Sequence, residues 1–260
     1  MSVAYLLIAH GSRDRRSQSA FAALVEQLKP HLHAATAELP TIGIAALELS
    51  VQPLHQQIVQ FVHQAATQQT ISHPTLVTTV DGPLSDLYLF PLFLLPGMHV
   101  REDIPAEVAQ AGTLLTTDCR LHLCPYLGGQ PGFVPLLRRL FSQLPASQRL
   151  LLAHGSRRFG GNAPIEAIAG RLNATPAYWA IAPSLAEQVS QLTAQGHQQL
   201  AIQPYFLFPG GITTAIEDEV NWLQKQFDTA QFQLGRPLCD APEFIALVLD
   251  WLQRGSQVLQ

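Results

Sequence analysis

Two histidines and a glutamate stand at the ends of three apolar runs in the first half of the chain. His10 closes the run Tyr5–Ala9 and is followed at once by Gly11. Glu48 lies in ALELSVQP, at the end of an Ile-, Ala- and Leu-rich stretch that begins at Thr41. His99 follows PLFLLPGM. Neutral imidazole is a ligand for zinc, cobalt, nickel and iron, and a carboxylate can complete the set. Three such donors leave coordination positions open, as a catalytic or transfer site requires. The same groups accept protons near neutral pH. His10, Glu48 and His99 are therefore the candidate metal ligands and the candidate catalytic groups.

The elements that must position them follow from the hydrophobic pattern. Continuous apolar runs alternate with amphipathic stretches. In the first half, strands are predicted over 3–9, 41–49, 86–95 and 121–125, and helices over 17–37, 53–69, 104–111 and 133–143. Phe21, Leu24, Val25 and Leu28 share one face of the first helix. A further short apolar run, Leu76–Val80, has no assigned place in the sheet. In the second half, strands are predicted over 150–153, 177–181, 199–206 and 232–236, and helices over 163–172, 184–195, 213–227 and 242–254. This alternation implies parallel sheets covered on both faces, with ligands bound at the carboxyl ends of the strands.

The two halves are copies. IAHGSR at 8–13 returns as LAHGSR at 152–157, PLFLLPG at 91–97 as PYFLFPG at 204–210, and two shorter phrases follow in the same order. Four matches in one order identify a tandem repeat. The expected fold is α/β, two tandem doubly wound parallel-sheet domains. Residues 1–145 would carry the metal site and residues 146–260 the repeat with a degenerate site. His154 stands where His10 stands, but Ala180 or its neighbour replaces Glu48, and Ile212 replaces His99. A group needed by the fold would be present in both copies. Groups present once mark a site that survives once.

Other residues near the trio have expected roles. Arg13 and Arg101 lie beside the histidines and suit an anionic ligand. Arg15 and Arg16 fit two readings equally, cations for the same anionic ligand or an ordinary solvated helix start. Gly11 and Gly97 allow close backbone approach. Glu102 and Asp103 read as caps of the helix that begins near Ile104. His31, His33, His55, His63, His73, His122 and His197 read as surface.

Composition sets the outer bounds. The 260 residues are 47% hydrophobic and only 13% charged, which suits a well-buried globular protein. A net charge of -4 gives no reason to expect nucleic acid. Cys119, Cys124 and Cys239 have neither disulfide-framework nor zinc spacing. No signal peptide and no membrane span is read, so the expected location is the cytoplasm. Nucleophile-elbow, P-loop and G-x-G-x-x-G patterns are absent.

With these residues in place, the chain resembles the class II chelatases of the CbiX/SirB type, which insert metal into sirohydrochlorin. The resemblance rests on LLIAHGSRDRRS at 6–17, LELSVQPL at 47–54 and FPLFLLPGMHVREDIP at 90–105. It covers the whole chain, because long members of that family are two fused half-length copies. It implies two domains facing a cleft that holds the tetrapyrrole, with His10, His99 and Glu48 as metal ligands. Arg13, Arg101, Gly97 and Met98 would then contact the substrate. No permanently bound cofactor is implied. The metal is a substrate, Fe²⁺ or Co²⁺, with Ni²⁺ chemically acceptable. Some plant relatives carry an iron–sulfur cluster near the C-terminus, but this chain ends SQVLQ without cysteines there. A monomer is expected, since one chain already supplies both halves. Two rival readings use the same residues: a non-enzymatic metal carrier, and a tetrapyrrole- or small-acid-binding module. Phosphoryl transfer through a nucleophilic histidine is a weaker third.

Overall fold

The runs that read as fully apolar become strands buried on both faces. β1 (Ser2–Ala9) and β3 (Leu84–Pro91) are buried over nearly their full length. They form the centre of a sheet ordered β2-β1-β3-β4, with β2 at Thr41–Ala46 and β4 at Arg120–Leu123. The pairings are parallel, and β1 lies between β2 and β3 in matched register. The second half repeats this as β6-β5-β7-β8, with β5 at Gln148–Ala153, β6 at Thr175–Tyr178, β7 at Gln199–Pro204 and β8 at Gln231–Leu234, again parallel. The computed structural model describes residues 2–35, 41–68 and 84–257. The run Leu76–Val80 and His73 lie outside the described residues.

Helices follow the strands: α1 (Arg15–Ala35), α2 (Leu54–Gln68), α3 (Ile104–Leu114) and α4 (Phe133–Ser142) in the first half, then α5 (Ala163–Leu172), α6 (Leu185–Ala194), α7 (Gly211–Gln226) and α8 (Pro242–Gln257). α6 starts at a capping box in which Ser184 and Glu187 satisfy each other's backbone N–H groups. On one face of the first sheet, Ala4, Leu6, Ile8, Leu87 and Leu89 pack with Leu54, Ile58 and Val62 of α2 and Ile104 of α3. Their counterparts Leu150, Leu152, Leu200 and Ile202 pack with Leu185, Val189 and Ile216 in the second half.

The chain resolves into two compact units, and these do not follow the sequence halves. One holds Met1–Arg13, Phe21–Gln130 and Val248–Gln260; the other holds Asp14–Ala20 and Pro131–Leu247. The sheets fall on either side of 145/146, but the closing helices are exchanged. In the first unit, Tyr5, Phe90 and the buried Trp251 of α8 form an edge-to-face aromatic chain with centroids 5.7 and 5.0 Å apart. The Trp251 indole N–H donates to the Pro125 carbonyl at 2.8 Å. In the second unit, Phe133 of α4 meets Tyr205 at 6.1 Å. α4 packs with the second half, and α8 packs with the first half from Val248 onward. No described helix is long and apolar enough to cross a membrane.

Candidate metal centre

β1 and β3 are the two strands at which the sheet order reverses, and ligands of open α/β sheets bind at the carboxyl ends of such strands. The chain places His10 directly after β1. Beyond the end of β2, pairing continues as Leu47 N–H donates to the Ala9 carbonyl at 2.9 Å and Glu48 N–H to the His10 carbonyl at 2.8 Å. The main chains of the two residues are thus tied by one peptide hydrogen bond. Gly11 makes this possible. Its φ is 99°, and a Cβ there would collide with the Glu48 carbonyl oxygen. Leu49 then turns sharply with φ 57° and is 54% exposed.

β3 ends earlier than the apolar pattern predicts. Pro91 has no N–H to continue the ladder, and after Leu92 donates to Ile8 the chain leaves the sheet. The residues beyond, Leu92 and Phe93, are apolar because they still pack on the core. The chain then enters a π-helical turn, His99–Asp103, closed by Ile104 N–H donating to the His99 carbonyl, which leads into α3. Such turns often sit at functional positions.

The result is a convergence. One ligand atom from each of His10, Glu48 and His99 lies within 4.8 Å of the others. The His10 Nε2 is 3.7 Å from one Glu48 carboxylate oxygen, and the His99 Nε2 is 3.9 Å from the other. The imidazoles meet edge to face with centroids 4.9 Å apart. Phe93 lies beside both, at 6.4 and 6.1 Å, as an apolar neighbour. The side chains of His10 and Glu48 are about half exposed and that of His99 a third exposed, so an ion held here would keep open positions.

The structure corrects several expectations. Asp103 caps nothing: its backbone is helical, and no cap bond forms from its side chain. Its carboxylate instead lies 2.7 Å from His99 Nδ1. Sequence reasoning missed this contact, although the His99–Asp103 spacing of four was a readable signal. Gly97 has open space around it within the protein. Arg16 is not a free solvated cation. It holds Asp14 at 2.7 Å and donates to Thr214 at 2.8 Å, and its hydrogen bonds lower the Asp14 pKa. His55 and His122 are not surface residues. His55 pairs with Glu107 at 2.8 Å, and His122 stacks on Tyr88 and pairs with the buried Asp86 at 2.7 Å.

Among the remaining candidates, Arg13 is exposed two residues past Gly11, and Met98 is 37% exposed just before the π turn. Arg101 is exposed on that turn. Burial raises the Tyr126 phenol pKa, and the Arg101 charge works against that rise. Burial also pushes the thiols up, Cys119 to about 11 and Cys124 and Cys239 to about 12.

The second copy shows the same scaffold with His154 as its one remaining counterpart of the three donors. Ala180 N–H donates to the His154 carbonyl at 2.9 Å, as Glu48 does to His10, so Ala180 is the counterpart of Glu48. Pro91 lies opposite Ile8 and Pro204 opposite Leu152, which fixes Ile212 as the counterpart of His99. Gly155 repeats the positive φ of Gly11 at 84°.

The CbiX family model matches residues 4–144 and again 148–254, once for each half. The sirohydrochlorin ferrochelatase of Bacillus subtilis strain 168 is 24% identical over 236 residues, covering 86% of this chain and 81% of the relative. Two solved structures share the fold. One is SirB from Bacillus subtilis with Fe³⁺, at TM-score 0.74 and 23% identity, covering 98% of this chain and 96% of that one. The other is the sirohydrochlorin chelatase SirB of Bacillus subtilis subspecies spizizenii in complex with cobalt, at TM-score 0.73 and 21% identity, covering 99% and 96%. With both halves matched, the chain belongs to the CbiX family.

Proposed function

We propose that this protein is a sirohydrochlorin chelatase that inserts a divalent metal, Fe²⁺ or Co²⁺, into the tetrapyrrole with release of two protons. Membership of the family and a curated relative of that activity support the reaction class. The observation that carries the site is the convergence of His10, Glu48 and His99 within 4.8 Å on a rim whose counterpart holds Ala180 and Ile212.

Residues 1–145 supply the metal centre, and residues 146–260 supply a repeat without one. His10 and His99 take the ion through ring nitrogens and Glu48 through a carboxylate oxygen. Three ligands hold it firmly enough to capture and loosely enough to surrender. As the ring nitrogens replace the protein donors, the freed imidazoles and carboxylate lie within reach of the departing pyrrole protons. A divalent cation enters and two protons leave, so the charge in the site balances. Arg13 and Arg101 meet peripheral carboxylates of the substrate, where the guanidinium fork fits better than an ammonium. Gly97 and Met98 lie against the macrocycle. The chain acts as a cytoplasmic monomer, with metal and tetrapyrrole as its partners.

The test is an optical titration of sirohydrochlorin with Fe²⁺ and with Co²⁺, with and without the protein. The protein should accelerate the spectral change to the metallated ring. Equal rates with and without protein would overturn the reading.

A further inference from the structure

The carboxylate of Asp103 has no structural task in the usual sense. It heads α3 without capping it, and its side chain is 45% exposed. Its hydrogen bond runs to His99 Nδ1 at 2.7 Å. An ionised carboxylate only accepts, so the ring nitrogen it faces must carry the proton. That leaves the lone pair of a neutral His99 on Nε2, the nitrogen that faces Glu48 at 3.9 Å. The second repeat offers an internal control. The position equivalent to His99 is Ile212; Ile216 is fully buried in its core just as Ile104 is in the first, so the π turn adds one residue and Asp103 falls at Ala215. Where the histidine is missing, the carboxylate is missing with it.

We infer that Asp103 is a positioning residue for metal capture. It fixes the His99 tautomer and ring angle, so that Nε2 is presented to the ion before the ion arrives. The inference rests on the reading of His10, Glu48 and His99 as metal ligands. Asp103 itself stays off the metal. The π turn sets the ring and carboxylate side by side, and the hydrogen bond makes the imidazole a better donor by drawing on its far N–H.

Two measurements test it. The first is ¹⁵N NMR of the histidine rings in metal-free protein at mildly alkaline pH, with His99 assigned by loss of its signal in His99→Gln. The native protein should show His99 protonated at Nδ1, and Asp103→Ala should show a mixture of tautomers. The second is Co²⁺ affinity read from the visible absorption of the bound ion. Asp103→Ala should weaken binding about 10–100-fold. Asp103→Asn keeps an acceptor oxygen in place and should recover most of that loss. Thermal melts check that each variant is folded. Native tautomer and native Co²⁺ affinity in folded Asp103→Ala would overturn the inference. A native protein that bound no Co²⁺ would instead overturn the metal centre, and the ring signals would still decide what Asp103 does to His99.

Discussion

The two rims of this molecule share one backbone and differ in what they present. Both begin with His-Gly after a buried strand, both place glycine at positive φ, and both fasten the next strand's extension to the histidine carbonyl. The first rim adds a carboxylate, a second imidazole and the Asp103 carboxylate that faces it. The second has Ala180, Ile212 and Ala215 in those places. The comparison separates scaffold from chemistry. The His-Gly turn recurs in both copies; the carboxylate and the second imidazole that complete a donor set beside it occur once.

The largest effect should come from taking donors away from the first rim only. His10→Ala or His99→Ala should slow metal insertion by at least about 100-fold, beyond the loss seen when only a supporting group around a ligand is removed. His154→Ala should leave the rate at its native value. Stopped-flow absorbance with sirohydrochlorin and Co²⁺ reads both. A comparable loss from His154→Ala would erase the distinction between the copies.

The comparison sharpens if the missing donors are returned. Ala180→Glu with Ile212→His should bring a second Co²⁺ equivalent per chain in equilibrium dialysis. It should bind about 10–100-fold more weakly than the first, because no carboxylate stands where Asp103 does. A single equivalent would show that side chains alone do not distinguish the rims.

The glycines separate the copies on a smaller scale. Gly11→Ala forces a strained φ and drives a Cβ into a backbone oxygen, which cannot move aside. The strain should cost about 1–3 kcal/mol and loosen Co²⁺ binding as well. Gly155→Ala meets the Ile181 Cγ1 atom at 2.7 Å, a side-chain atom that can shift in part. Its smaller loss should appear in the melt and leave Co²⁺ binding unchanged.

The smallest expected effect lies away from the rims. Asp86 is buried between Arg120 and His122, whereas its counterpart Gln199 pairs with Gln231. Burial alone would raise the Asp86 pKa, but the hydrogen bonds from Arg120 and His122 outweigh it and hold the carboxyl below its ordinary value. A depressed folded-state pKa stabilises above the unfolded carboxylate range, and that gain disappears as pH falls through the folded value. Asp86→Asn should therefore cost about 1–2 kcal/mol at neutral pH, moderated because the Arg120 end is open to water. The gap from the native protein should close in strong acid, as followed by urea unfolding across pH.

Much of this architecture was legible in the sequence because it is local. Apolar runs and amphipathic periods located the strands and helices, and the repeated phrases aligned one copy on the other. The exchange of α4 and α8 was not legible. Periodicity says which face of a helix is apolar but not which sheet will cover it. His55 and His122 read as surface because Glu107 and Asp86, the acids that hold them, lie 52 and 36 residues away. Asp103 was misread for a different reason. An acid before a helix is so often a cap that its other neighbour, the imidazole one turn back, was given no weight.

The peptide hydrogen bond from Glu48 to His10 has a further consequence. The main chain beneath a carboxylate and an imidazole from distant parts of the chain is fastened together, so the roots of the two side chains keep one spacing whether or not cargo is aboard. If His10 and Glu48 hold the cargo as proposed, each new ion would meet two anchor points already set at a fixed spacing.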